Sequence, residues 1–245
     1  WFFFHGNSRA REYELDNYHI VEKIKEDIPK IFRIYRAESD LFYLGTLEGL
    51  YEYKISTSEI TKSDILGKNN HTRIQDILRV SDSTLLFATK GNGIIGLTNG
   101  NEFHIKITHG TEINAIYQLI KDPLTNLIYA ATNFGIYQIQ LEDNQWQHNS
   151  IVSYYDGLKL PDVRQIKICN NELYFANNIG VGKIELESLK VPIIKPYLYI
   201  NSLFIDDKPI DLSKPVHVPY DSNSFEISYQ AIGFKSRNEF TYYYR

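Results

Sequence analysis

The sequence predicts an all-β chain: a run of repeated antiparallel units followed by the start of a β-sandwich. Three observations carry that prediction. Tyr and Phe are abundant, 19 and 13 among 245 residues, and with β-branched residues they favour strands. One strand–turn–strand pattern recurs four times without any 3.6-residue period. The pattern then stops near Leu189, where VPIIKP places two prolines close together.

The repeat is carried by FYLGTLEGLYEY (from Phe42), LLFATKGNGIIGL (from Leu85), IYAATNFGIYQI (from Ile128) and LYFANNIGVGKI (from Leu173). Each is an aromatic or aliphatic strand, a small residue, a polar turn, a glycine and a second strand. The glycines at 49, 93, 135 and 180 are 44, 42 and 45 residues apart. Upstream lies a second marker, two apolar residues three apart: Ile28/Ile31, Ile74/Ile77, Ile113/Ile116 and Val163/Ile166. A unit of about 40–50 residues made of short strands and turns is the signature of a propeller blade. The inner strand of each blade then carries the apolar pair, and the glycine takes φ > 0 between the second and third strands. Runs such as NEFHIKI and WQHNSIVSYY are the outer strands, which places Trp146 in a packing role. Residues 1–27 read as the last three strands of an earlier blade. The expected units are residues 1–27 (partial), 28–70, 71–110, 111–158 and 159–190. Four complete blades and a partial one leave an open stack with exposed sheet edges. The chain also begins in mid-pattern at Trp1 and has no Met, so a larger ring with blades before Trp1 is expected.

Residues 191–245 read differently. YLYINSLFIDDKPIDL suggests a hairpin with Leu198, Ile200 and Phe204 on one face and Asp206-Asp207 at the turn. SFEISYQAIGF alternates Phe225, Ile227 and Tyr229, and FTYYYR alternates Phe240, Tyr242 and Tyr244. This is the pattern of the first part of a β-sandwich.

Composition narrows the function. With 43% hydrophobic and 23% charged residues the chain is an ordinary globular one. A net charge of -4 argues against a nucleic-acid partner, which calls for a basic surface. No apolar run reaches the roughly 18–20 residues of a membrane helix, so no membrane contact is expected from this segment. No signal peptide is visible. A single Cys169 excludes a disulfide framework and a thiolate metal cluster; it reads as a small buried hydrophobe in an inner strand.

Chemical motifs are sparse. GNGIIG (Gly91, Gly93, Gly96) formally fits a dinucleotide-binding pattern, but that chemistry needs a helix N-terminus, and the following LTNGNEF is another turn and strand. The seven histidines show no metal-ligand spacing, and neither a nucleophile elbow nor a local acid/base pair is present. Hence no cofactor, metal or catalytic residue is expected. Asn70-His71-Thr72 fits a glycosylation pattern. Blade topology alone places a binding face: loops entering the inner strands and loops joining strands two and three surround the central channel. These collect His71, Arg73, Asp162 and Arg164 from the first kind, and Glu48, Lys90, Asn92, Asn133, Asn177 and Asn178 from the second. Such a mixture suits a hydroxyl- and charge-bearing ligand such as a sugar, although loop tips are also polar simply because they are solvated.

YYDGLKLPDVRQIKICNNELYFANNIGVGKIE (from Tyr154) resembles the two-component-regulator propeller repeat. Gly157-Leu158, Val163, Ile166 and Gly180 match its turn, inner strand and second glycine, as do Gly45-Thr46 with Gly49-Leu50 and Ala131-Thr132 with Gly135-Ile136. Where that repeat commonly has Trp, Tyr43, Phe87, Tyr129 and Phe175 stand here. NSFEISYQAIGF (from Asn223) and FTYYYR (from Phe240) resemble the Ig-like triple-tyrosine domain that follows such propellers. The resemblance implies the periplasmic sensor region of a membrane-bound, often hybrid, histidine kinase that detects oligosaccharides. It also implies a tether to the inner membrane and is compatible with a homodimer. Kinase activity would lie outside these residues. A protein-interaction propeller and a polysaccharide-acting enzyme are the alternatives.

Overall fold

A computed structural model describes residues 28–109, 111–143, 145–153, 158–189 and 197–232, apart from positions 217, 219 and 221–223, together with the backbone of three strands within residues 2–26. The chain forms two compact units, Trp1–Leu189 and Lys190–Arg245.

The first unit is a series of separate antiparallel sheets, among them four propeller blades. A three-stranded sheet of Phe2–Phe3, Ala10–Asp16 and His19–Glu26 opens the chain. The first blade orders Ile31–Arg36, Leu41–Thr46, Gly49–Lys54 and Glu59–Lys62 from inside to outside; the second orders Arg73–Ser81, Thr84–Lys90, Ile94–Thr98 and Asn101–Ile105. A small hairpin, Ile107–His109 with Thr111–Ile113, leads to the third blade: Ile116–Lys121, Ile128–Thr132, Gly135–Glu142 and Gln145–Val152. The fourth has three strands among the described residues, Val163–Cys169, Glu172–Asn177 and Val181–Glu185, and ends in a short 3-10 turn, Leu186–Leu189. Successive inner strands lie side by side, and the sheets do not close on themselves.

The core lies between blades, not inside one sandwich. Side chains alternate along each strand, so both faces of a blade must find cover. In the second blade Leu86, Ala88 and Ile94 pack toward the third, whereas Phe87 and Ile95 pack toward the first. The third blade repeats this: Ala130, Tyr137 and Ile139 face back, and Tyr129, Ala131 and Ile136 face the fourth. Two-sided burial explains why these strands read as continuous apolar runs. Tyr43, Phe87, Tyr129 and Phe175 all pack in these layers. Trp146 lies on the outer strand of the third blade and stacks on Phe103 of the second, with ring centroids 5.9 Å apart. Phe103 can lie flat because its cross-strand partner is Gly96, where a Cβ would sit 2.1 Å from the ring. That packing accounts for the third glycine of GNGIIG.

One turn recurs between the second and third strands. Thr46, Thr89 and Thr132 each donate their hydroxyl to the carbonyl of Gly49, Gly93 and Gly135 (2.8, 2.9 and 3.0 Å). Each also accepts from a backbone N–H inside the turn, those of Glu48, Asn92 and Phe134. The three glycines have φ of +119°, +65° and +121°. The fourth blade departs from expectation: Gly180 has no positive φ, and Asn177 replaces the Thr. There the Asn177 carboxamide accepts from the N–H groups of Ile179 and Gly180 (3.0 and 3.1 Å), which closes the turn without a left-handed glycine.

Three further expectations are corrected, and the Asn70-His71-Thr72 pattern is accounted for. In the first and third blades the inner-strand pairs are Ile31/Ile34 and Ile116/Leu119, not Ile28/Ile31 and Ile113/Ile116; Ile28 precedes the strand and Ile113 belongs to the hairpin. Cys169 is exposed: its neighbour Ile168 packs toward the third blade, so alternation turns Cys169 to the open face of the fourth. Asn70 is buried, donating to Ser63 O and accepting from Leu50 N, which leaves no amide accessible for a glycan. In the second unit, Tyr197–Ile205 lies between Lys208–Pro209 and Phe225–Ile232, with a bulge between Ile200 and Ser202. The bulge reverses the alternation, so Leu203 and Ile205 share a face with Leu198 and Ile200, and Phe204 takes the other side. Opposite them stand Phe225, Ile227 and Tyr229, giving one apolar face that is largely exposed. Asp206 and Asp207 form the hairpin turn, with φ of +46° and +62°. FTYYYR lies outside the described residues.

The turn yields a paired prediction. A Cβ at Gly135 would lie 2.0 Å from Val152 O and hold φ = +121°, whereas at Gly180 it would meet nothing within 4 Å. Gly135→Ala is expected to lower stability in urea unfolding by at least about 1–2 kcal/mol, and Gly180→Ala to change it by less than about 0.5 kcal/mol. Equal effects would contradict the turn assignment.

Candidate functional site

The site is built by a bulge repeated in all four inner strands. Pairing with the second strand slips between Ile31 and Arg33, Ile74 and Asp76, Ile116 and Gln118, and Val163 and Gln165. A bulge inserts one residue and re-aims the side chains around it. Here two residues per blade, between the apolar anchors, come to the channel side: Phe32-Arg33, Gln75-Asp76, Tyr117-Gln118 and Arg164-Gln165. All eight line a cavity of about 360 Å³, with Ala176, Asn177 and Asn178 at its rim.

In the first three blades the second residue after the apolar anchor, the third position counting the anchor itself (Arg33, Asp76 and Gln118), ties its blade to the next. Asp76 is buried and serves three blades. Its Oδ1 accepts from Arg33 Nε of the first blade (2.9 Å) and from its own neighbour Ile77 N (2.9 Å), while Oδ2 accepts from Leu119 N of the third blade (2.9 Å). Gln118 repeats the contact, its Oε1 accepting from Ile166 N of the fourth blade at 2.7 Å. Burial raises the Asp76 carboxyl above its ordinary value, while Arg33 and the two backbone donors pull it the other way.

The second position faces the cavity with less internal commitment. The Arg164 guanidinium lies 4.3 Å from the Tyr117 ring centroid and pairs with Asp162 (2.6 and 3.0 Å). Burial and the neighbouring Asp162 push the Tyr117 phenol up to about 12, with Arg164 opposing. Tyr117 therefore stays a hydrogen-bond donor across the physiological range. Both carboxylates beside the cavity, Asp76 and Asp162, are held by arginines.

The ten residues expected at the site separate into groups. Arg164, Asn177 and Asn178 line the 360 Å³ cavity, with Asp162 holding Arg164. The Asn177 amide is spent on its own turn and on Leu160 O (2.9 Å). His71, Arg73, Lys90 and Asn92 line a second recess of about 480 Å³ with Leu47, Thr72 and Gly91. Asn92 donates to Thr72 Oγ1 (2.8 Å), so its amide is also committed. Glu48 and Asn133 line neither cavity. Reading the loops missed Phe32, Arg33, Gln75, Asp76, Tyr117, Gln118 and Gln165. The signal was present: in every blade these are the two residues between the apolar anchors. Among the described residues no group of three His, Cys, Asp or Glu could hold a metal ion, and no helix is long and apolar enough to cross a membrane.

No protein-family model matches the chain, and no curated protein matches it. Solved structures do. Two are extracellular domains assigned to hybrid two component systems of B. thetaiotaomicron. One has a TM-score of 0.54 at 14% identity over 81% of this chain, the other 0.50 at 13% over 76%. A third is PorZ, a bacterial surface component of the type-IX secretion system of Porphyromonas gingivalis, with a TM-score of 0.56 at 10% identity over 78% of this chain. The chain spans 26% of each of the first two proteins and 31% of PorZ. Identities this low establish a shared fold, the β-propeller architecture.

Asp76 gives the site its test. Asp76→Ala strands the N–H groups of Leu119 and Ile77, and is expected to cost roughly 2–4 kcal/mol in urea unfolding. Asp76→Asn keeps one acceptor oxygen but turns an NH2 toward a donor, so a smaller loss is expected. Because the folded-state pKa is raised, the folded protein binds this proton more tightly than the unfolded chain. The contribution of Asp76 is therefore largest below the unfolded-state value and falls as pH rises through the folded-state value. The stability margin of the native protein over Asp76→Asn should narrow across that window; a widening margin would contradict the assignment.

Proposed function

We propose that this chain is the extracytoplasmic ligand-sensing part of a membrane-bound two-component sensor histidine kinase. It detects an oligosaccharide at the channel face and relays the event through its C-terminal unit, an Ig-like domain of the triple-tyrosine kind. The observation that carries the reading is the bulge-built cavity. Four blades deliver Phe32, Gln75, Tyr117 and Arg164 to one place, an aromatic, amide, phenol and guanidinium set suited to a hydroxyl-rich ring. The likeness to extracellular domains of hybrid two component systems supports the setting. The kinase, the inner-membrane tether and the periplasmic location belong to the longer protein of this proposal. Relay requires that the ligand bind two arrangements of the sensor with different affinity. No turnover is assigned to this chain, because both carboxylates beside the cavity are held by arginines.

A second reading, a protein-interaction propeller, is favoured by Ile179 and Val181 on the fourth blade, 62% and 77% exposed beside Tyr174. One experiment separates the readings. Melting of the intact ectodomain is followed against neutral and acidic oligosaccharides, and each sugar is then checked for cleavage. A sugar at a hundredfold excess over its Kd should stabilise by about 2.7 kcal/mol and be recovered intact. Arg164→Ala should lose most of that shift while changing unliganded stability by about 1 kcal/mol, since its ion pair is partly exposed to solvent. If no glycan moves the transition the sensor reading fails in favour of a protein partner, and cleavage would turn it toward an enzyme.

A further inference from the structure

The recess beside the cavity has an electrostatic defect that its own structure does not relieve. Arg73 and Lys90 are direct cross-strand partners in the second blade, so their side chains leave the same face of the sheet, and both line the recess. Like charges directly opposite on paired strands are destabilising. Lys30 of the first blade is outside the recess lining but shares a ring with Arg73: its Nζ lies 5.4 Å from the Phe32 ring centroid, and Arg73 Cζ lies 5.2 Å from the same centroid. His71 adds an imidazole to the lining.

Elsewhere on this face the cations are matched. Arg33 is paired with Asp76, and Arg164 with Asp162. Among the described residues no carboxylate pairs with Lys30, Arg73 or Lys90, and Glu48, next to Leu47 at the rim, pairs with none of them. In a chain whose net charge is -4, two cations without a carboxylate partner, Arg73 and Lys90, thus share one recess. Phe32 lines the 360 Å³ channel cavity, and Arg73 of the recess lies over its ring, so the two spaces adjoin there.

We propose that this recess is the subsite for an anionic substituent of the saccharide, a carboxylate or a sulfate ester. Arg73 and Lys90 hold it while the rest of the saccharide extends into the adjoining cavity lined by Phe32. The proposal rests on the oligosaccharide reading above and narrows it to acidic saccharides. The bound oxyanion takes the place of the missing carboxylate, and the Arg73–Lys90 repulsion that weakens the empty blade becomes part of the binding energy.

The test uses the intact ectodomain with three probes of equal length: tetragalacturonate, a chondroitin sulfate tetrasaccharide and neutral cellotetraose, with a single-stranded DNA of matched charge as control. Either acidic saccharide should bind at least about tenfold tighter than the neutral one, with affinity falling as salt rises. Galacturonate and chondroitin sulfate together tell carboxylate from sulfate recognition. Lys90→Ala should lose about tenfold or more of that affinity while melting no lower than the native protein, because a like-charge contact has been removed. Lys90→Glu, which gives Arg73 a cross-strand partner, should melt higher and lose the acidic preference altogether. The melting rise is what a merely structural lysine would not show.

Cellotetraose binding as tightly as the acidic probes would overturn the anionic subsite and leave the sensor reading standing. No binding of any saccharide would remove both. Unchanged affinity in Lys90→Ala would also overturn the proposal, as would DNA binding equal to that of the acidic saccharides, which would point to phosphate recognition instead.

Discussion

The structure depends on satisfying polar groups in a wall that is buried from both sides. A propeller blade has no solvent face over most of its area, so each inner strand brings backbone N–H groups into a region that water does not reach. Every such group must be bonded or the fold loses about 1–3 kcal/mol. The bulge in each inner strand breaks the ladder to the second strand, which leaves that requirement most acute beside the channel. Asp76 and Gln118 meet it across blades, accepting from Leu119 N and Ile166 N respectively. Apolar contact between blades is non-directional, so layers of Ile, Leu and Tyr could slide. A bond from one side chain to one backbone N–H fixes the register of neighbour on neighbour.

A carboxylate is an expensive way to do this, and the second blade shows why it is tolerated. Asp76 is buried, and burial alone would drive it toward the neutral form. Three donors from three blades offset that cost, and one of them, Arg33, brings a full charge while remaining half exposed to solvent. A buried pair of this kind contributes little net stability compared with an apolar substitute, but its loss is costly because the remaining donors are stranded. Gln118 achieves the same contact in the next blade with a neutral group. The chemistry varies while the geometry stays constant, as expected when the bulge and not the side chain sets the design.

Much of this was legible in the sequence. The glycine spacing at 49, 93 and 135 reports a turn that needs φ > 0, and the Thr three or four residues earlier closes it. The apolar runs report two-sided burial, and both set the repeat. What the sequence did not yield was phase. Ile28, Ile31 and Ile34 are each three apart, as are Ile113, Ile116 and Leu119, so spacing alone could not say which pair flanked the bulge. That one-step ambiguity hid Phe32, Arg33, Tyr117 and Gln118, and moved attention to loop tips such as Asn133, which lies outside both cavities. Cys169 and Phe204 were misplaced for a related reason. Alternation assigns a side correctly only when the number of faces covered, or the presence of a bulge, is already known.

The two residues that each bulge turns to the channel side differ in how far their neighbours commit them. The third position of the strand faces along the ring and is constrained by its neighbour: Arg33 to Asp76, Asp76 to Leu119 N, Gln118 to Ile166 N. The second position, Phe32, Gln75, Tyr117 and Arg164, faces the cavity and reaches no neighbouring backbone, so its identity can change without loosening the stack. Four blades therefore offer four side chains of unrelated chemistry on one rigid frame, which is the condition under which a repeated fold can acquire a specific ligand. The same separation explains why the Arg73–Lys90 pair can persist. It sits at the mouth of the second blade, where solvent screens part of the repulsion, apart from the buried Asp76 and Gln118 contacts that hold blade to blade.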